Sequence, residues 1–274
     1  MKKVLIFFLL VSSMVWALSA QAAYISTNWG GLYQYDIKQG TTTYIGKTST
    51  GRMPQELTDI AMSSGKLYGV DTSALYSVDV NNGQLSVIRR LGYLQLNALV
   101  GDPNGSDLYT ASDSGQFGRL SDTGQYSLIG NLGSYKGQTL RSSGDLVFGP
   151  DGTLYATVYK NKSGEDYLAT IDVKTGQATV LGEVRDKSVY GLVFLDGKLY
   201  GTTADHDLIE IDQNTGRGTY VGRIMGLELG AITGATGDPS DTTASGATPE
   251  PATLLLLSSA MGMVLWRRRR GAVG

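Results

Sequence analysis

A dipeptide, Leu-Tyr, returns at Leu67-Tyr68, Leu108-Tyr109, Leu154-Tyr155 and Leu199-Tyr200, at spacings of 41, 46 and 45 residues. A second marker keeps step with it: a glycine at Gly83, Gly124, Gly176 and Gly216, within NNGQ, DTGQ, KTGQ and NTGR. Self-similarity at a fixed period constrains a chain strongly, because each unit must bury its apolar face against copies of itself. The cleanest copy, residues 189–224, reads as four short strands: YGLVF, KLYGTT, DLIEID and GTYVGRI. LDG and QNTG separate the first pair and the last pair, and Gly and Asn accept the positive φ of tight turns. Four strands in a unit of 40 to 46 residues is the pattern of a β-propeller blade. A β-helix coil would be about half as long, and a sandwich would not repeat.

Full copies begin near Leu57, Leu96, Ser143 and Val189. A further copy is split. AYIST, GLYQYDI and TTTYIGK at the N-terminal side match strands two, three and four. The missing first strand is read at residues 229–233, LGAIT, after the last full copy. Such a split closes a ring and removes its free sheet edges. The chain therefore reads as all-β, a five-bladed β-propeller over residues 23–233 with N/C-terminal strand closure. The composition agrees: 37 Gly, 16 Tyr against 5 Phe, and only 18% charged residues suit many short strands and tight turns. A net charge of −2 gives no electrostatic case for nucleic acid. With no cysteine, the fold rests on its core and on ring closure.

Residues 1–22 read as a signal peptide: Lys2 and Lys3, an apolar run at 4–11, and Ala20-Gln21-Ala22 as the cleavage site. Its partners would be the Sec translocon and signal peptidase. Residues 234–248, GATGDPSDTTASGAT, read as a flexible linker. Pro249-Glu250-Pro251 follows, then an apolar run at 252–266, then Arg267, Arg268, Arg269 and Arg270. As a helix that run spans about 22 Å, short against a hydrocarbon core of about 30 Å, with the arginines on the cytoplasmic side. This tail, residues 249–270, resembles the PEP-CTERM sorting signal: a Pro-Glu-Pro motif, a short transmembrane helix and an arginine cluster in order. The resemblance implies a Gram-negative bacterium and processing by an exosortase. It implies anchoring in the inner membrane before processing, then delivery to the cell surface, extracellular space or exopolysaccharide (biofilm) matrix. The repeat domain is similar to the YVTN, NHL and tachylectin-like propellers through GPDGTLYAT and IDVKTGQATVLG. That likeness concerns fold, because propellers carry many functions.

A propeller has two loop faces. The turns between strands one and two and between three and four are uniform here. The loops on the other face vary: 47–56 with Arg52, 133–143 with Tyr135 and Arg141, and 159–166 (YKNKSGED) beginning at Tyr159. Uneven loops on a regular scaffold are where binding is expected. Aligned innermost strands place Asp59, Asn97, Asp145, Gly191 and Gly230 in one ring at that mouth of the channel. Its oxygens would suit sugar hydroxyls or a hard cation such as calcium, with Asp59 and Asp145 as the ligands; equally, such residues serve as local backbone caps. No other cofactor is implied. Asp36, Asp79, Asp172 and Asp212 precede turns and are read as turn caps. His206, the sole histidine, has no partner for a metal site or triad. The expected function is non-enzymatic binding of exopolysaccharide or an envelope protein. The alternatives are a glycan hydrolase using Asp59 and Asp145 as its acid pair, and a ligand-free spacer.

Overall fold

In the computed structural model, residues 22–160, 166–228 and 230–237 are described. They form five four-stranded antiparallel sheets and one small hairpin. The first blade holds β1 (Ala22–Thr27), β2 (Gly31–Asp36) and β3 (Thr41–Lys47). The second holds β4 (Asp59–Ser63), β5 (Lys66–Val70), β6 (Ala74–Val78) and β7 (Leu85–Arg90). The third holds β8 (Leu96–Gly101), β9 (Leu108–Ser112), β10 (Gln116–Leu120) and β11 (Tyr126–Asn131). The hairpin is β12 (Ser134–Tyr135) with β13 (Gln138–Thr139). The fourth blade holds β14 (Arg141–Phe148), β15 (Leu154–Tyr159), β16 (Tyr167–Ile171) and β17 (Ala178–Glu183). The fifth holds β18 (Val189–Leu195), β19 (Lys198–Thr203), β20 (Asp207–Ile211) and β21 (Gly218–Arg223). The last strand, β22 (Ile232–Gly237), returns to the first blade beside β1.

The architecture is thus the expected all-β, five-bladed propeller closed by both chain ends. The closing strand lies three residues later than residues 229–233, and it takes residues 234–237 from the expected linker. Its register, Ala23↔Gly237 and Ile25↔Ala235, sets Gly234 against the next blade's inner strand. A Cβ at Gly234 would lie 2.2 Å from Asp59 Oδ1, so only a glycine fits this depth. Gly230 lies outside the strand, with φ +136.

Burial explains why each blade packs as it does. Innermost β4 and second strand β15 are buried throughout, whereas outermost β3 is mostly exposed. Sheets buried on both faces carry continuous apolar runs rather than alternation. The Leu-Tyr tyrosines pack between blades, as where the Tyr155 ring centroid lies 5.6 Å from that of Phe194. Turn caps form as expected: Asp172 Oδ1 accepts from Lys174 N at 2.8 Å, and Asp212 Oδ1 from Asn214 N at 2.9 Å. Because these bonds stabilise the charged form, both carboxyls lie below their ordinary range.

Neighbouring blades also meet through a glycine of the outermost strand. A Cβ at Gly182 would sit 1.9 Å from the Thr215 carbonyl oxygen, in the turn of the next blade. Gly46 against Asn82 and Gly130 against Thr175 repeat this approach at 2.1 Å each. Gly222, in the last blade, has nothing within 4 Å. Gly182→Ala is therefore expected to lower stability by about 1–3 kcal/mol, while Gly222→Ala changes it by about 0.5 kcal/mol or less. Urea unfolding of the two variants beside wild type checks this.

Candidate functional site: the channel and its loop-built mouth

The five innermost strands are β4, β8, β14, β18 and β22, and the pairing of all but β4 carries a register irregularity. The register breaks between Leu96 and Ala98 in β8, between Ser142 and Leu146 in β14, and between Val189 and Gly191 in β18. On β22 it skips Thr233. A bulge re-aims the extra residue. Here Asn97, Ser143, Gly144, Tyr190 and Thr233, with Thr58 just before β4, line one cleft at the variable face. The cleft has a volume of about 320 Å³.

The layer below is tighter. It holds Asp59, Ala98, Asp145, Gly191 and Gly234, at matching heights on their second-strand partners. Two members of the expected ring are thus displaced. Asn97 is the bulged residue, so Ala98 takes its place at ring depth, and Gly234 stands where Gly230 was aligned. Asp59 and Asp145 are both 0% exposed. Asp59 accepts from Ile60 N at 2.7 Å and from Leu99 N, in the next blade, at 2.6 Å. Asp145 accepts from Leu146 N and from Leu192 N, again in the next blade, each at 2.5 Å. The two carboxyls also hydrogen-bond each other. Burial pushes both far above the ordinary carboxylate range, and for Asp59 the charge of Asp145 adds to it. Two like charges side by side in a buried site disfavour the doubly ionised pair. These acids tie blades together. Their oxygens are already engaged by N–H donors, and among the described residues no group of three or more His, Asp or Glu is arranged to hold a metal.

The remaining expected residues separate. Asn97 lines the cleft and donates through Nδ2 to the carbonyls of Ser142 at 3.0 Å and Ser143 at 3.3 Å. Tyr159 is buried in the cleft wall, and its hydroxyl donates to Asp113 Oδ1. Burial, then Asp113, raises that phenol above its ordinary range. Arg141 Nη1 donates to the Asp113 carbonyl at 2.7 Å, bracing the same wall. Tyr135 lies outside the cleft lining, edge-on to Tyr167 at 5.7 Å, with the Lys136 and Lys160 ammonium groups over its ring at 5.1 and 5.6 Å. Arg52 is exposed on its loop, also outside the lining. Residues 161–165, residues 1–21 of the expected signal peptide, the apolar tail and the sorting residues Pro249 to Arg270 lie outside the described residues, while Ala22, the last residue of that expected peptide, begins β1. Among those described, no helix is long and apolar enough to cross a membrane.

The structure adds Asp113, Lys187 and Tyr190 to the cleft, which lie outside the loops expected to bind, and singles out Glu56 and Asp166 at the ends of the expected loops 47–56 and 159–166. Asp166 accepts from the Ser143 hydroxyl at 2.7 Å and from Val189 N at 2.8 Å. Burial raises it to about 6 against those hydrogen bonds. Only its place beside the next blade's bulge marks it, and spacing does not reveal that.

The class of protein defined here is a five-bladed β-propeller with one mouth elaborated by loops. The chain belongs to the DUF6923 family, a repeat of unknown function, whose profile matches residues 90–236. The PEP-CTERM protein-sorting motif matches residues 247–270, so this is an exported protein sorted by exosortase. No curated protein matches the chain. Among solved structures, a Bacteroides thetaiotaomicron protein of unknown function is similar at 16% identity and TM-score 0.51, over 80% of this chain and 65% of that one. A Bacteroides caccae protein of unknown function gives 13% and 0.46, over 78% and 77%. An extracellular domain from B. thetaiotaomicron gives 17% and 0.45 over 78% of this chain, which spans 28% of that structure's length. These likenesses concern fold.

The buried acids fix a pH dependence. Asp59, Asp145 and Asp166 bind protons more tightly folded than unfolded. Their stabilisation is complete below an unfolded value of about 4 and is lost as pH rises through the folded values, near 6 for Asp166. The turn caps Asp79, Asp151, Asp172 and Asp212 have lowered values, so their contribution is lost below about pH 4. The melting temperature is therefore expected to peak in mild acid and to fall by about 5 °C or more between pH 5 and pH 8. Calorimetric scans across that range check the sign, and a rise would contradict the assignment.

Proposed function

We propose that this protein is a non-enzymatic binding module of the cell surface or extracellular matrix, and that the variable-face cleft receives an exopolysaccharide or an envelope protein. The observation that carries the reading is convergence. Bulged residues from separate blades, with Tyr190, Lys187, Asp113 and Asp166, meet in one cleft of about 320 Å³. That volume falls in the range of small-ligand clefts; the cavity at the opposite mouth, about 730 Å³, is lined largely by the short repeated turns.

Chain direction supports display of this cleft. Ala23 pairs with Gly237, so both ends of the described propeller leave at the uniform face. Thr236 and Gly237 line that opposite mouth. A tail that anchors the precursor in the inner membrane before exosortase acts would hold the uniform face inward and the cleft outward. The Sec translocon and signal peptidase would act at the other chain end, and the cleft stays clear of both.

Sedimentation of the purified protein with the host's own exopolysaccharide tests the reading, using wild type beside Tyr190→Ala and Lys187→Ala. Saturable binding weakened at least about tenfold in either variant, with melting temperatures unchanged, is expected. Binding retained in both variants would move the site away from the cleft. Absence of binding to polysaccharide and to envelope extracts would leave a ligand-free spacer.

A further inference from the structure

Trp29 is 60% exposed and Met53 is 79% exposed. Both sit on variable-face loops, Trp29 between β1 and β2 and Met53 between the first two blades. Large apolar side chains left this open on a well-packed domain mark contact surfaces when they join a cleft.

The Trp29 turn is held from several sides. Gly30 N donates to the Thr27 carbonyl at 2.9 Å, and Thr48 N to the Gly30 carbonyl at 2.7 Å. Asn28 exchanges two bonds with Ala231: its N–H donates to the Ala231 carbonyl at 3.0 Å, and its Oδ1 accepts from Ala231 N at 2.9 Å. Gly30 adopts φ +73, and a Cβ there would sit 3.0 Å from Pro54 Cβ and 3.3 Å from Gln55 N. The indole is therefore exposed on a backbone that is already ordered, so contact with a ligand costs little further backbone entropy.

This ledge adjoins the cleft. Asn28 bonds Ala231, two residues before the cleft residue Thr233, and Ser26 Oγ lies 3.1 Å from Thr233 Oγ1. Gly30 abuts Pro54 and Gln55, next to the cleft residue Glu56. A flat apolar ring beside a cleft rich in hydroxyls is chemistry suited to a sugar chain. Pyranose rings present an apolar C–H face to an aromatic ring and hydroxyls to polar walls. The charge balance narrows the class. Glu56, Asp113 and Asp166 carry carboxyls in the lining, against the ammonium of Lys187 there and the guanidinium of Arg141 that braces the wall. An acidic sugar would meet like charge.

We infer that the cleft and the Trp29–Met53 ledge together bind a glycan chain free of acidic groups, one segment in the cleft and the next stacked on the Trp29 indole. This rests on the cleft being the binding site, and it adds the ligand's class and a residue that the cleft does not contain.

Trp29 reports on itself. The chain has three tryptophans, Trp16, Trp29 and Trp266. In the full chain carrying Trp16→Phe and Trp266→Phe, indole emission comes from Trp29 alone. The probes are a β-1,4-linked glucosamine hexamer, its N-acetylated counterpart and a galacturonic acid hexamer, read by tryptophan emission and by calorimetry. Either or both of the first two are expected to bind and to blue-shift the emission, and the third to do neither. Trp29→Ala should weaken calorimetric binding about tenfold, and Trp29→Tyr should restore most of it. Equal binding of the galacturonic acid hexamer would overturn the ligand class. Binding that is sensitive to Tyr190→Ala but leaves Trp29 emission and the Trp29→Ala affinity unchanged would overturn the ledge while keeping the cleft. No binding by any hexamer, with an envelope protein captured through the cleft instead, would overturn the glycan.

Discussion

Five inner strands must share one axis, and the room there is fixed by two carboxyls and three small residues. Asp59 and Asp145 each accept an N–H from the inner strand of the following blade. Gly234 leaves the space the Asp59 carboxyl occupies, where a Cβ would lie 2.2 Å from Oδ1, and Gly191 admits the closing strand, where a Cβ would lie 2.5 Å from Ala235 Cβ. An inner strand has a sheet partner on one side only, so its axis-facing N–H groups need acceptors. The carboxyls supply them at Leu99 and Leu192, and burial, which penalises the charged form, raises the proton affinity of both. The other constraints hang on this one. The closing strand must present Gly234 at ring depth, which sets the β1–β22 register and places both ends of the described propeller, Ala23 and Gly237, at the uniform face.

The outer ring solves a different problem by repetition. Glycines of the outermost strands let the next blade's turn approach main chain to main chain, and the turn aspartates cap those same turns. Such contacts repeat because the blade repeats. The variable face is released from that rule, since bulges and loops of unequal length feed it. A regular scaffold thereby carries an irregular mouth, the usual division between what holds a fold and what binds. The ledge and cleft lie on the released face.

Much of this was legible before any coordinates. The Leu-Tyr and turn-glycine periods state the blade, and the split first copy states closure, because repeats leave their period in composition and spacing. The errors are instructive. Gly230 and Asn97 were aligned into the channel ring, and the structure puts Gly234 and Ala98 there. A bulge adds one residue without changing residue type, so a linear alignment of inner strands slips past it. Asp113 and Tyr190 lie outside the expected loops for another reason: neighbouring blades bring them together, and no spacing along one blade encodes that contact. Trp29 carried a signal, a lone tryptophan in a strand two to three loop, but its exposure was visible only in the fold.

The most direct test of this account is residue-level amide hydrogen exchange at Leu99 and Leu192. If Asp59 and Asp145 lock the inner strands, both amides exchange only through global unfolding, at the slowest rates in the protein. Exchange at these two amides as fast as at the exposed turn amide of Gly152 would contradict it, because the ring would then open locally without the fold being lost.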